Sequence, residues 1–160
     1  MHTNDLGNTL SSLLTELVDG ARAPAYMLNV GDPGLLRSLD RLSAAAASAV
    51  VPGGSSIAAH TDHLRYGLSL MNRWAAGEDP FADANYAVSW RTTTVSDADW
   101  ARLRAALADE THRWIRTLRA PRDVDRAELA GMVGSIAHLA YHLGAIRQID
   151  RAARGPAQED

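Results

Sequence analysis

Residues 129–146, LAGMVGSIAHLAYHLGAI, contain no Asp, Glu, Lys or Arg. The stretch approaches the length of a membrane span, but it holds two histidines, three glycines and a serine, and the sequence offers no second span. We therefore predict a buried helix of a soluble protein. Apolar residues cover most of its helical circle, which predicts a central helix. Asp125 and Glu128 match a capping box, so this helix is predicted to run from Asp125 to about Ala153.

Four more segments upstream carry helical periodicity, and strand patterns are nearly absent. Predicted caps are Ser55 or Ser56 for the third segment and Ser96 with Asp99 for the fourth, while Asp32 before Pro33 starts the second. The predicted spans are Asn4 to Val18, Asp32 to Ala49, Ser56 to Ala76 and Asp97 to Leu118. The first two segments can form one broken element, which gives an all-α fold with four main helices in a bundle.

The segment between the third and fourth helices is unusually long. Residues 78–94 include Pro80, Phe81, Tyr86 and Trp90. Loops of this length are uncommon unless they serve a function, and the aromatic content predicts that this one folds back over a surface.

Length and composition narrow the class of protein. With 160 residues the chain is predicted to form a single domain over residues 1–154, with a disordered tail at 155–160. The absence of cysteine excludes disulfides, thiolate metal sites and a cysteine nucleophile. A net charge of −3 argues against a nucleic-acid partner. The N-terminus lacks the pattern of a signal peptide, so we expect a cytoplasmic protein with no membrane partner.

Four of the six histidines lie in apolar helical surroundings. His138 and His142 are four residues apart, which places both imidazoles on one helix face and is a common way to offer two ligands to one metal. His60 and His63 lie on the third helix, and spacing alone leaves open which of them would be a third ligand. The alternative is that all four are core histidines hydrogen-bonded to neighbouring groups.

The segments SIAAHTDHLRYGLSLMNRW (56–74) and IAHLAYHLGAIRQI (136–149) resemble the DinB/YfiT-like superfamily. The resemblance covers roughly residues 32–151 and implies a four-helix bundle of the DinB/YfiT type, here with an extra short N-terminal helix and a long loop before the third core helix. It also implies His63, His138 and His142 as metal ligands, followed by the family's glycine at position 144. The glutamine that often follows this glycine is Ala145 here.

The same resemblance implies a divalent metal, with Ni²⁺ or Zn²⁺ suited to imidazole ligands. It further implies a metal-dependent transferase that uses a low-molecular-weight thiol and acts on a small-molecule substrate, and it makes a homodimer the expected assembly. His60 then becomes a neighbour of the ligands or part of the pocket, which Tyr66 and Trp90 could also line, although ordinary packing is the alternative for both aromatics.

Two other functions stay open at this point. One is a metal-dependent hydrolase, for which the candidate bases, Asp62 and Glu78, are poor. The other is a non-catalytic binding or stress-related bundle with a structural metal site or no metal. An open coordination position facing a cleft would favour an enzyme, whereas a fourth ligand such as His60 would favour a structural site.

Overall fold

Helices dominate the computed structural model of the chain, which describes residues 3–157. This described part has seven α-helices and no β-strand, apart from an isolated bridge between Val50 and Ser56. The prediction of an all-α fold is confirmed. The helices are α1 (Thr3–Asp19), α2 (Gly34–Asp40), α3 (Ala44–Ser48), α4 (Ile57–Ala75), α5 (Tyr86–Ser89), α6 (Asp97–Arg119) and α7 (Arg126–Ile149).

Local capping sets the start of three of the long helices, as predicted. The Ser56 and Ser96 hydroxyls accept the Ala59 and Asp99 backbone N–H groups at the starts of α4 and α6. At α7 the Asp125 side chain accepts the Glu128 N–H, and the Glu128 carboxylate accepts the Asp125 N–H. These caps satisfy backbone donors that have no partner within the helix, which is why each helix begins at that point.

The N-terminal helix predicted over Asn4 to Val18 is present as α1, but it is not a short extra element. Helix α1 has 17 residues, and Leu14, Leu17 and Val18 are at most 1% exposed. The short helices are α2 and α3, which replace the single helix predicted over residues 32–49. The break arises because Ser43 adopts an extended backbone and its side chain accepts the Ala46 N–H, which starts a new helix.

The four long helices share one hydrophobic core. Helix α6 packs against α1 and α4, and α7 also packs against α1 and α4. Two buried indoles anchor α6: Trp114 donates Nε1–H to Ser135 Oγ on α7 at 2.8 Å, and Trp100 donates to the Leu42 carbonyl at 2.9 Å. The side-by-side packing of α4 and α7 determines which faces of these two helices can form a site.

Two expectations for α7 need correction. The helix ends at Ile149 instead of near Ala153, because the Asp150 side chain accepts the Ala152 N–H and starts a 3₁₀ helix over Arg151–Ala153. Nor is α7 buried all round: Tyr141 is 71% exposed. Helix α7 is long and apolar enough to cross a membrane by length and composition, which for a single helix is weak support for a span.

The C-terminal segment is described as far as residue 157. After the 3₁₀ helix, the Pro156 carbonyl accepts a hydrogen bond from Asn29 Nδ2 at 3.0 Å. The predicted disordered tail covers residues 155–160, of which 158–160 lie outside the described residues. The single-domain boundary at residue 154 and the disorder of this tail stay predictions.

Candidate metal centre

Three histidines from α4 and α7 converge at one point. The Nε2 atom of His138 lies 3.2 Å from Nε2 of His63 and 2.9 Å from Nε2 of His142. One ring nitrogen of each histidine lies within 4.8 Å of the other two. The side chains come from two neighbouring helices because the i, i+4 pair on α7 faces α4 across their packed surfaces.

These separations suit a shared metal ion. Two imidazole nitrogens bound to one ion at 2.0–2.1 Å lie roughly 2.9–3.4 Å apart for bond angles between 90° and the tetrahedral value. The two Nε2–Nε2 distances of 3.2 Å and 2.9 Å fall in that range. His138 Nε2 also faces two other ring nitrogens, and one ring proton can satisfy only one of these contacts. The three converging nitrogens could therefore hold a metal ion.

Burial keeps the cluster neutral. Desolvation, with smaller contributions from neighbouring histidines, lowers the pKa of His63 to about 4 and that of His142 to about 3. Desolvation also lowers the pKa of His138 and of His60. Neutral imidazoles offer a lone pair, which is the form that binds metal.

A serine fixes the proton on His63. Ser89 is 3% exposed, and its hydroxyl donates to the Tyr86 carbonyl at 2.7 Å. Because the hydroxyl has one proton, its oxygen is left to accept the Nδ1–H of His63, 3.0 Å away. The proton of His63 therefore lies on Nδ1, and its Nε2 lone pair points at the other two histidines.

His60 plays the same part for His142. The Nδ1 atoms of the two rings are 2.8 Å apart, so one of them carries the shared proton. A lone pair on Nε2 of His142 requires the proton on its Nδ1, from which it is donated to His60. His60 thus contacts the edge of the His142 ring that faces away from the converging nitrogens.

Residues 85–92, here called the strap, cover the histidines. The Trp90 ring stacks on His63 with 4.4 Å between ring centroids, and its edge contacts His60 at 5.2 Å. Thr92 donates to the Asp62 carboxylate at 2.6 Å, and the Asn85 N–H donates to the Tyr66 hydroxyl. The prediction that the long loop folds back over a surface is confirmed.

A cavity of about 320 Å³ opens between α4 and α7 beside the histidines. Its lining includes the rings of His63 and His138. Of the described residues, none that line it is Asp, Glu, Lys or Arg. The histidine cluster therefore has an accessible, apolar side.

A larger cavity of about 1030 Å³ lies between α1 and residues 20–27. Its buried carboxylate, Glu16, accepts the backbone N–H groups of Tyr26, Met27 and Leu28 at distances between 2.7 and 3.1 Å. This carboxylate holds the loop after α1 in place, and no histidine lines the cavity among the described residues. Of these two cavities, the smaller one adjoins the histidine cluster.

The structure places the residues singled out in the sequence as follows. His63, His138 and His142 come together, with His60 and Trp90 in contact with them, whereas Tyr66 lies further out and contacts the strap. The ligand assignment itself stays a prediction.

The two candidate bases are engaged elsewhere, and one residue that contacts the histidine cluster was not predicted. Asp62 accepts from Arg65 and Thr92, and Glu78 pairs with Arg73. Sequence reasoning missed Ser89, because nothing near it in the sequence signals a partner 26 residues away.

Comparisons with known family models, with curated proteins and with solved structures found no match to this chain. The resemblance to the DinB/YfiT-like superfamily accordingly rests on the quoted residues and their spacing.

Proposed function

We propose that this chain is a divalent-metal protein of the DinB/YfiT type, a four-helix bundle of α1, α4, α6 and α7 that transfers a low-molecular-weight thiol to a small electrophile. The observation that carries the proposal is the convergence of three neutral imidazoles beside an apolar cavity. Nickel and zinc both suit imidazole ligands. The packing of the four long helices around one core supports the bundle.

The position of His60 favours a catalytic site over a closed structural one. A closed site would need a fourth protein ligand next to the Nε2 atoms. The Nδ1 atom of His60 instead lies 2.8 Å from Nδ1 of His142, on the far edge of that ring. The cavity reaches His63 and His138, so an exogenous ligand can approach the remaining coordination positions.

In the proposed reaction, the residues of this chain hold and position the metal ion. A bound divalent metal lowers the pKa of a thiol and holds its thiolate. His63, His138 and His142 would hold the ion, while Ser89 and His60 fix their ring protons. The chain has no cysteine, so the sulfur comes from the cosubstrate. That sulfur forms a bond to the electrophilic carbon, the leaving group departs with its bonding electrons, and the thiol proton is released to solvent.

Hydrolysis is the second candidate and has less support. A hydrolase that uses activated water generally needs a positioned base. Asp62, the nearest carboxylate in sequence to the ligands, accepts hydrogen bonds from Arg65 and Thr92. A non-catalytic metal protein would bind the ion and show neither reaction.

We further propose a cytoplasmic homodimer with no nucleic-acid partner.

The first test is elemental analysis of the untagged full chain by inductively coupled plasma mass spectrometry. We expect near-stoichiometric nickel or zinc in the wild type and loss of the metal in His63→Ala and His142→Ala, with helical circular dichroism retained. His112→Ala is the matched control, because His112 pairs with Asp19 on the surface. Wild-type protein that takes up no metal, even on reconstitution, would refute the proposal.

The second test separates the reactions. The metal-loaded chain is incubated with a small electrophile with and without glutathione, mycothiol or bacillithiol. Electrophile consumption that requires thiol supports the transferase. Turnover of an ester without thiol would favour the hydrolase, and no turnover of either kind would favour a non-catalytic metal protein.

A further inference from the structure

Three glycines within long helices, Gly67, Gly134 and Gly144, have no packing reason to be glycine, and two of them line the 320 Å³ cavity beside the histidines. Gly67 on α4 and Gly134 on α7 lack the positive φ that requires glycine. A Cβ atom on Gly134 would have no neighbour within 4 Å, and one on Gly67 would meet only the His138 ring at 3.9 Å. Glycine in a helix interior is destabilising relative to alanine. Glycine at these two positions therefore lowers helix stability, although a larger residue would fit.

The neighbouring Gly131 shows the contrast. A Cβ atom there would lie 2.9 Å from the Trp74 ring, so close packing explains that glycine. Gly67, Gly131 and Gly134 all line the 320 Å³ cavity beside the histidines, but close packing does not explain Gly67 and Gly134. A Cβ atom on Gly67 would face the His138 ring, and Gly134 lines the cavity at an exposed position. The absence of side chains at these two lining positions leaves the cavity more open.

The rest of the lining is apolar and uncharged. Leu64, Leu68, Met71 and Leu139 line the cavity together with Tyr86. The hydroxyl of Ser135 is already used, because it accepts the Trp114 Nε1–H at 2.8 Å and donates to the Met132 carbonyl at 2.7 Å. A charged group placed here would lose water without gaining a counter-charge, which is strongly unfavourable.

We propose that this cavity binds the uncharged, apolar body of a small substrate and holds it beside the histidine cluster. The inference rests on the proposed function and specifies its second substrate: the cavity takes the electrophile, while the charged or strongly polar body of the thiol stays outside. A volume of about 320 Å³ is at the lower end for small-molecule sites, which limits the body to about the size of one substituted ring.

The test uses three probes of equal size and different charge: benzyl alcohol, benzoate and benzylammonium. The full ¹⁵N-labelled chain, metal-free, is titrated with each probe while the amide signals of Gly67 and Gly134 are followed by NMR. We expect benzyl alcohol to shift both signals and to bind about tenfold more tightly, or better, than either ion. The benzyl alcohol titration is repeated on zinc-loaded protein, where the same signals should shift.

Matched glycine variants locate the binding. Gly134→Leu adds a side chain at the cavity lining and should weaken benzyl alcohol binding about tenfold or more. Gly144→Leu makes the same change at another exposed position of α7, outside that lining, and should leave binding unchanged. Gly67→Leu repeats the test from α4 in case Gly134→Leu fails to fold.

Three results would overturn the assignment: equal binding of all three probes, shifts confined to other residues, or undiminished binding by a folded Gly134→Leu or Gly67→Leu. The outcome is separate from that of the metal proposal. A chain that takes up no metal yet binds benzyl alcohol at these glycines keeps the cavity assignment and loses the metal. A metal-loaded chain whose Gly67 and Gly134 signals do not respond to benzyl alcohol keeps the metal proposal and loses the cavity assignment.

Discussion

Replacing Ser89 with alanine is expected to weaken zinc binding without unfolding the protein. The substitution removes the oxygen that accepts the His63 Nδ1–H at 3.0 Å in a position that is 3% exposed. His63 can then move its proton to Nε2, where the proton blocks the lone pair that faces the other two histidines. Metal binding must then reverse this proton shift, which lowers the metal affinity.

The size of the effect follows from the type of hydrogen bond. Loss of a group that orients a metal-bound histidine typically costs 10- to 100-fold in affinity. Ser89 is a neutral acceptor, so we expect the lower end, about tenfold or about 1.4 kcal/mol. Competition with a chromophoric chelator measures the zinc affinity, and ¹⁵N chemical shifts of the histidine rings report which nitrogen of His63 carries the proton in the metal-free protein.

Ser69→Ala is the control, since the Ser69 hydroxyl also donates to the carbonyl three residues earlier but has no hydrogen bond to a histidine in the described part of the chain. Ser89→Thr keeps a hydroxyl and should restore most of the affinity. Wild-type zinc affinity in Ser89→Ala, together with an unchanged proton position on His63, would refute the reasoning.

Three further predictions concern stability. Leu14→Ala on α1, at 0% exposure, should lower the free energy of unfolding by about 2–5 kcal/mol in urea titrations, whereas a helix outside the core would give little change. Asp32→Asn removes the negative charge that faces the largely buried Arg147 guanidinium at 2.7 Å and should cost up to about 3–5 kcal/mol in the same assay. Because the pKa values of His63 and His142 fall from 6.5 to about 4 and about 3 on folding, burial of these neutral rings carries no pH-dependent cost above pH 6.5, and the metal-free protein should lose stability progressively as the pH falls from 6.5 toward 3. Urea titrations of the wild type and of a variant with both His63→Ala and His142→Ala across this pH range test the prediction. An unfolding free energy that depends equally on pH in the two proteins would contradict it.

Local features of the fold could be predicted from the sequence because their causes lie within a few residues. The caps at Ser56, Ser96 and Asp125 each depend on a backbone N–H three residues ahead. The break at Ser43 was missed because AAAASA after it reads as a continuous helical run, and a serine is compatible with either a helix interior or a cap.

The candidate site, like the fold, could be predicted from the sequence only where local spacing determines it. The i, i+4 spacing of His138 and His142 determines that they share a face, so the pair could be inferred without tertiary structure. Spacing could not choose between His60 and His63, since both lie on the face of α4 that meets α7. The choice depends on ring orientation: Nε2 of His63 faces Nε2 of His138, while His60 faces the other edge of His142.

The strap contacts the histidine cluster from a distant part of the sequence, and these contacts lead to a reciprocal prediction. Three neighbouring residues of α4 hold it, in the pairs Asp62 with Thr92, His63 with Ser89 and Tyr66 with Asn85. Since one of these three is also a predicted metal ligand, strap closure and metal binding should stabilise each other by the same factor.

If closure over His63 strengthens zinc binding about tenfold, zinc must favour the closed strap by about tenfold. Amide hydrogen exchange in residues 85–92 should then slow by about that factor when zinc is added, provided that exchange occurs through opening of the strap. Thr92→Val, which removes a contact to Asp62 without touching His63, should speed exchange and weaken zinc binding together. Exchange that is indifferent to zinc would show that the strap only covers the histidines, and the affinity lost in Ser89→Ala would then reflect the single hydrogen bond to His63 alone.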